Sequence, residues 1–125
     1  MEDPIISVVD DDASSRTATV RLLTSMGFTT CAFASAQEYL LSSRLHDTAC
    51  LITDVQMPSM SGIELQEHLI THGHTTPMIF MTAFPETETQ QQTINAGAIG
   101  FLPKPLDESR LLECVDQALI KWRRA

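Results

Sequence analysis

Three carboxylates, a hydroxyl and an ammonium stand directly behind short apolar runs of this chain, and together they have the chemistry to hold a phosphoryl group with a divalent cation. Ile5-Ile6-Ser7-Val8-Val9 ends in Asp10-Asp11-Asp12, and Leu51-Ile52-Thr53 ends in Asp54, with the turn sequence Val55-Gln56-Met57-Pro58 next. Met78-Ile79-Phe80-Met81 ends in Thr82, and Ile99-Gly100-Phe101-Leu102 leads through Pro103 to Lys104. Runs of this length read as buried strands, and a polar residue at the end of such a strand is lifted out of the core. In an open parallel sheet ligands sit outside the carboxyl ends of the strands, which places Asp10, Asp11, Asp54, Thr82 and Lys104 at one edge. Carboxylates so close repel one another unless a cation is present. Oxygen ligands of high charge suit Mg2+, which often shares a phosphate oxygen. Lys104 is one of two lysines and is bracketed by Pro103 and Pro105, so its backbone is stiff. With the Thr82 hydroxyl it would complete a clamp for a phosphoryl group on Asp54.

The elements that must position these groups are legible as short apolar runs alternating with longer helix-like segments, the pattern of βα units around a parallel sheet. Strands are expected near 5–9, 29–33, 49–53, 78–81 and 99–102. Asp12 is placed to cap a first helix over about 13–26, in which Val20, Leu22, Leu23 and Met26 supply the apolar face. Ser35-Ala36-Gln37-Glu38 and Ser61-Gly62-Ile63-Glu64 both fit a capping box. A fourth helix over about 85–96 starts with Pro85 in its first turn and Glu86 and Glu88 near its positive end. It is polar nearly all round, so it should be weakly packed. Gly27 and Gly97 stand where helices should stop. The last helix begins at Asp107, with Leu106 stapled onto Leu111 and a buried stripe of Leu111, Val115, Leu119 and Trp122.

Size and composition exclude several classes. At 125 residues the chain has room for one domain and one core. Sixteen acidic against eight basic residues give a net charge of −8, which opposes direct nucleic-acid binding. The only basic cluster, Lys121, Arg123 and Arg124, reads as favourable charge at a helix C-terminus. No apolar run approaches a membrane span, and Glu2 and Asp3 replace the basic start of a signal peptide. Cys31, Cys50 and Cys114 form no CxxC pair and read as buried free thiols in a reducing compartment, the cytoplasm. His46, His68, His72 and His74 lie in helix-end or loop contexts and read as solvated. No Gly-rich phosphate loop, Ser-His-Asp set or metal-spaced His/Cys group competes with the acidic constellation.

Several stretches carry a family likeness: Val8-Val9-Asp10-Asp11-Asp12, Asp54-Val55-Gln56-Met57-Pro58 with Ser61-Gly62, Met81-Thr82-Ala83, Ala96-Gly97-Ala98 and Phe101-Leu102-Pro103-Lys104-Pro105. They span almost the whole chain, which resembles the receiver domain of bacterial two-component response regulators. Ser35-Ala36 and Met60-Ser61-Gly62-Ile63-Glu64-Leu65 are similar to the FixJ-like subfamily. The resemblance implies an α/β, flavodoxin-like (CheY-like) doubly wound fold, with a five-stranded parallel sheet in the order 2-1-3-4-5 and five flanking helices. It implies that residues 1–125 form one receiver domain and that an output domain, in such regulators usually a helix-turn-helix DNA-binding domain, is absent from this chain.

By the same resemblance, Asp54 accepts phosphate from a sensor histidine kinase. Mg2+, or Mn2+ in its place, is bound by Asp11, Asp54 and the backbone carbonyl of Gln56, with Asp10 acting mostly through water. Thr82 and Lys104 contact the phosphoryl oxygens, and the Lys104-Pro105 bond is cis. Phe101 takes the aromatic switch position and turns inward as Thr82 moves toward the phosphate. Phosphorylation then drives homodimerisation through the fourth helix, fifth strand and fifth helix and controls an output, transcription. Catalysis is limited to self-phosphorylation and self-hydrolysis, so the chain is not expected to be an enzyme. Phe84 and Pro85 depart from the His and Gly usual in FixJ-like relatives, which implies a stiffer loop. Gln56 and Phe84 occupy positions that tune dephosphorylation, and Leu106 stands where Phe is common.

Two rivals differ in class. Asp10-Asp11-Asp12-Ala13-Ser14 loosely resembles the motif of haloacid-dehalogenase-like Mg-dependent phosphatases, with Asp10 as nucleophile and Asp12 as general acid. That reading leaves Asp54 and the Met57-Pro58 turn unexplained. A flavin-binding module of similar topology would have its phosphate repelled by the three carboxylates.

Overall fold

The computed structural model describes residues 3–124, so Glu2 lies outside the described residues. Its elements run β1 (Ile5–Val9), α1 (Ala13–Ser25), β2 (Thr29–Phe33), α2 (Ala36–Leu40), a 3-10 turn (Ser43–His46), β3 (Thr48–Asp54), α3 (Gly62–Thr71), β4 (Met78–Thr82), α4 (Thr87–Asn95), β5 (Gly100–Pro103) and α5 (Glu108–Arg124). The strands form one parallel sheet in the order β2-β1-β3-β4-β5, as the resemblance implies.

Alternation along each strand sends side chains to opposite faces, and the core divides accordingly. Ile6, Val8, Cys50, Ile52, Ile79, Met81 and Leu102 pack with Leu23 of α1 and Leu111, Val115, Ala118 and Leu119 of α5. Val9, Leu51, Met78, Phe80 and Phe101 pack with Ala36 and Tyr39 of α2 and Leu65 and Leu69 of α3. Strands buried on both faces explain why they read as nearly continuous apolar runs.

Local signals are met unevenly. Asp12 accepts a hydrogen bond from the Ser14 N–H, and the Ser61–Glu64 capping box is complete. At α2 the Ser35 hydroxyl caps Glu38, but the Glu38 carboxylate reaches back to the Ala34 N–H, not to Ser35. Gly27 and Gly97 close their helices with φ of +93° and +108°, backbone that favours glycine. Pro85 precedes α4 instead of entering it, because Glu86 is the N-cap and Thr87 the first helical residue. Trp122 leaves the stripe of α5: it is 37% exposed, and Ala118 takes the buried position beside Leu119. Among the thiols only Cys50 is fully buried; Cys31 and Cys114 are half-buried, and all three are free. Burial pushes the Cys50 and Cys114 thiols up.

Helix α4 buries a single residue, Thr93. Its tie to the neighbouring layer is Gln66 of α3, 3% exposed, whose Nε2 donates to the Thr93 carbonyl at 3.1 Å. Gly62 at the head of α3 donates its N–H to the Val55 carbonyl at 2.8 Å, and a Cβ there would collide with the carbonyl of Asp54. Gly62→Ala should therefore lower stability by about 1–3 kcal/mol in urea unfolding, the usual cost of forcing bulk into a packed site. Gln66→Leu should cost about 0.5–1.5 kcal/mol, since the Thr93 carbonyl keeps the Ala98 N–H as partner. Its mark should be faster amide exchange across Thr87–Asn95, with the central strands unchanged.

Candidate functional site

Asp10, Asp11, Asp54, Thr82 and Lys104 all lie at the carboxyl edge of the sheet, brought there by β1, β3, β4 and β5. Asp10 is fully buried, and its oxygens are shared out: Oδ1 accepts from the Asp12 N–H at 3.0 Å and Oδ2 from Lys104 Nζ at 3.0 Å. Asp54 accepts from the Gln56 N–H at Oδ1 (3.1 Å) and from Lys104 Nζ at Oδ2 (2.7 Å). Asp11 is exposed. One carboxylate oxygen from each of Asp10, Asp11 and Asp54 falls within 4.8 Å of the others, the one group of three such ligands among the described residues. An all-oxygen set of this charge fits a hard cation such as Mg2+.

Burial is the larger influence on Asp54 and raises its pKa, against the opposing pull of the Lys104 ammonium. For Lys104 burial pulls downward, but its bonds to Asp54 and Asp10 prevail and raise its pKa. The two directions describe one imbalance. A single ammonium is shared between two carboxylates, so Lys104 is well satisfied and Asp54 is not. The Lys104-Pro105 bond is cis.

Thr82, buried at the end of β4, accepts the Phe84 N–H on its hydroxyl oxygen at 3.0 Å, leaving its own O–H free to donate outward. Phe101 pairs with Phe80 across β4 and β5 and is 6% exposed, so the ring already lies inward. Phe84 is 68% exposed beside the site. Gln56 is exposed, and the Val55 N–H bond to Met81 (3.0 Å) fixes the backbone before it.

Sequence reasoning missed three supporting residues. Arg16 Nη1 donates to the Asp10 carbonyl at 2.7 Å and holds the start of the acidic loop against α1; its place four residues beyond the cap Asp12 was the available signal. Gly62 was read as part of the Ser61–Glu64 capping box and of the family motif, without its close packing against the Asp54 carbonyl. Gln66 interrupts the apolar stripe of α3 between Leu65 and Leu69, and a polar residue on a buried face demands a partner.

The family model for the response regulator receiver domain matches residues 6–116. Nodulation protein W of Bradyrhizobium diazoefficiens is 35% identical over 120 residues, 96% of this chain and 53% of that protein. The transcriptional regulatory protein TdiR of Thauera aromatica is 35% identical over 114 residues, covering 91% of this chain and 50% of its own. FixJ of Bradyrhizobium diazoefficiens is 32% identical over 114 residues, 91% of this chain and 56% of its own. This chain thus spans about half the length of these curated relatives. The solved structure of the response regulator StyR superposes with a TM-score of 0.90 at 40% identity, over 98% of this chain and 62% of that one. The FixJ-N crystal structure superposes with a TM-score of 0.85 at 30% identity, covering 96% of both chains. The chain belongs to the response regulator receiver domain family of two-component systems.

Proposed function

We propose that Asp54 is the phosphoacceptor of this receiver and that Thr82, Lys104 and Phe101 convert its modification into a change of surface. The observation that carries the reading is the Asp54 carboxylate, held at 2.7 Å by Lys104 inside a cluster of three acidic side chains. Asp11, Asp54 and the Gln56 backbone carbonyl would hold Mg2+, with Asp10 acting through water. When bound, the cation supplies charge neutralisation for the phosphoryl oxygens.

An Asp54 oxygen attacks the phosphorus of a phosphohistidine on the sensor kinase. A P–O bond forms as the P–N bond breaks, and the departing imidazole nitrogen keeps the electron pair and takes a proton from solvent. Lys104 exchanges part of its contact with Asp54 for a phosphoryl oxygen, and the free Thr82 O–H donates to another. Because the phosphoryl group favours the state with Thr82 drawn in, it biases the loop through Phe84 and α4 together. It also favours the inward position that the Phe101 ring already holds, so the expected inward turn of that ring is not needed. The loosely held α4 suits an element that moves.

Homodimerisation through α4, β5 and α5 is supported by the exposed apolar side chains Ile94 and Leu112 and by a cavity of about 290 Å3 between these elements, lined by Gln90, Ile94, Phe101, Arg110, Glu113 and Gln117 among others. Two of the relatives are named as transcriptional regulators. The output proposed for this chain is accordingly transcription. The reading places the protein in the cytoplasm; among the described residues no helix is long and apolar enough to cross a membrane.

Asp10 as the nucleophile of a phosphatase is disfavoured by access. Its side chain is 0% exposed, against 12% for Asp54. Incubation with acetyl phosphate and Mg2+ should add one phosphoryl group, found by peptide mapping on Asp54. It should be abolished by Asp54→Asn and by chelation. Label on Asp10, or turnover of phosphate esters, would sink the reading.

The metal carries a stability signature. Since the folded chain raises the Asp54 pKa, that group's contribution is fully present in acid, below its unfolded-state pKa, and is lost as pH climbs through the folded value. Ionised Asp54 is thus a burden on the metal-free fold at neutral pH, and a cation relieves it. Mg2+ at a hundredfold excess over its dissociation constant should add about 2.7 kcal/mol near neutral pH, read as a rise in melting temperature. The gain should fade in acid, where Asp54 binds a proton, and should be much smaller in Asp54→Asn.

A further inference from the structure

All four histidines of the chain gather at the amino-terminal edge of the sheet, opposite the acidic cluster. His46 ends the 3-10 turn before β3, His68 and His72 occupy the last turn and C-cap of α3, and His74 lies in the loop entering β4. We propose that His68 and His72 form a site for a divalent transition cation of imidazole preference, such as Ni2+ or Zn2+.

The spacing is the first ground. Residues i and i+4 of a helix share a face, and an i, i+4 histidine pair brings two imidazoles to one metal. The rings are adjacent but stacked, with centroids 4.0 Å apart and planes 21° from parallel, so their in-plane lone pairs do not converge as they stand. Ligation requires the His68 ring, which no side-chain hydrogen bond holds among the described residues, to turn about χ2 toward Nε2 of His72. The second ground is a hydrogen bond that selects the tautomer. His72 Nδ1 lies 2.8 Å from the His68 carbonyl oxygen. A carbonyl only accepts, so Nδ1 carries the proton and the neutral ring keeps its lone pair on Nε2. Donation from the second ring nitrogen to a backbone carbonyl is how metal-ligating histidines are commonly oriented.

The third ground is the rigidity of the frame. The His72 N–H also bonds the His68 carbonyl (3.0 Å), Gly73 turns at φ +80° with its N–H on the Ile70 carbonyl (3.0 Å), and the His74 N–H returns to the Leu69 carbonyl (2.9 Å). That double closure is a Schellman motif, which holds the last turn of α3 against fraying. His72 is exposed and His68 half-buried, so a cation reaches the pair from solvent. The other pair, His46 and His74, has ring centroids 5.7 Å apart and shows no bond that fixes a tautomer; it serves as a control. Imidazole nitrogen suits Ni2+ and Zn2+, whereas carboxylate suits Mg2+. The two ends of the domain therefore select different cations.

The test is calorimetric titration of NiCl2 into the whole chain at neutral pH, with Mg2+ in excess to cover the carboxylate cluster. One Ni2+ should bind per chain, about tenfold or more weaker after either His68→Ala or His72→Ala and unchanged after His46→Ala. Melting curves in EDTA should be the same for all three variants. In the unsubstituted protein, paramagnetic broadening of amide resonances by Ni2+ should centre on His68 and His72. Unchanged binding in both α3 variants, equal loss in His46→Ala, or broadening centred on Asp11 and Asp54 would overturn the proposal.

Discussion

Everything at the carboxyl edge depends on one electrostatic imbalance. Two carboxylates, Asp10 and Asp54, are buried around the single ammonium of Lys104, with Asp11 beside them. The fold sustains this because the sheet is buried on both faces and its strand ends leave the polar residues nowhere else to go. Burying charge is costly unless it is paired, and here the pairing is incomplete by at least one positive charge. The site is thus built to want a cation and to accept an electrophile that brings its own counter-charge. Its reactivity and its cost to stability have one source.

Signalling then needs an element that costs little to move. Helix α4 buries one residue and is braced by one side-chain bond from Gln66, whereas α5 sets Leu111, Val115, Ala118 and Leu119 into the core. A change of a few kcal/mol at Thr82 has a far better chance of redistributing α4 than α5. Phe101 sits between the two, on the strand that both helices flank. Phe84, exposed next to Thr82, is tied to that hydroxyl through its own N–H, so a movement of Thr82 toward Asp54 must carry this loop with it.

Much of this was legible in the residues, for identifiable reasons. Strands buried on both faces announce themselves as apolar runs, and the polar residues behind them mark the site without knowledge of the tertiary structure. Caps are local chemistry, so Asp12, Ser61 and Glu64 were readable. Trp122 was not: its spacing from Leu119 suits the buried stripe, but it borders a surface cleft with Leu45, His46, Thr48 and His74 and stays partly exposed. Pro85 fits a first helical turn by its φ, yet the Thr82–Phe84 hydrogen bond belongs to a turn that delays the helix to Thr87. Gln66, Gly62 and Arg16 act on backbone carbonyls of other elements, and such partners carry no side-chain signature along the chain.

One helix links these features. At its head, α3 places Gly62 against the Asp54 carbonyl, where no side chain fits. At its middle, Gln66 reaches the Thr93 carbonyl and holds α4. At its foot, His68 and His72 stack beneath the Gly73 closure. The helix is ten residues long, about 15 Å at 1.5 Å per residue, and Leu65 and Leu69 fix it to the core as a rigid rod. A rod of that kind passes on a shift applied at either end to whatever is attached along it, and what is attached at its middle is the loosest element of the fold. The proposed cation site at the foot of α3 thus sits on the same element that frames the phosphoacceptor and braces α4.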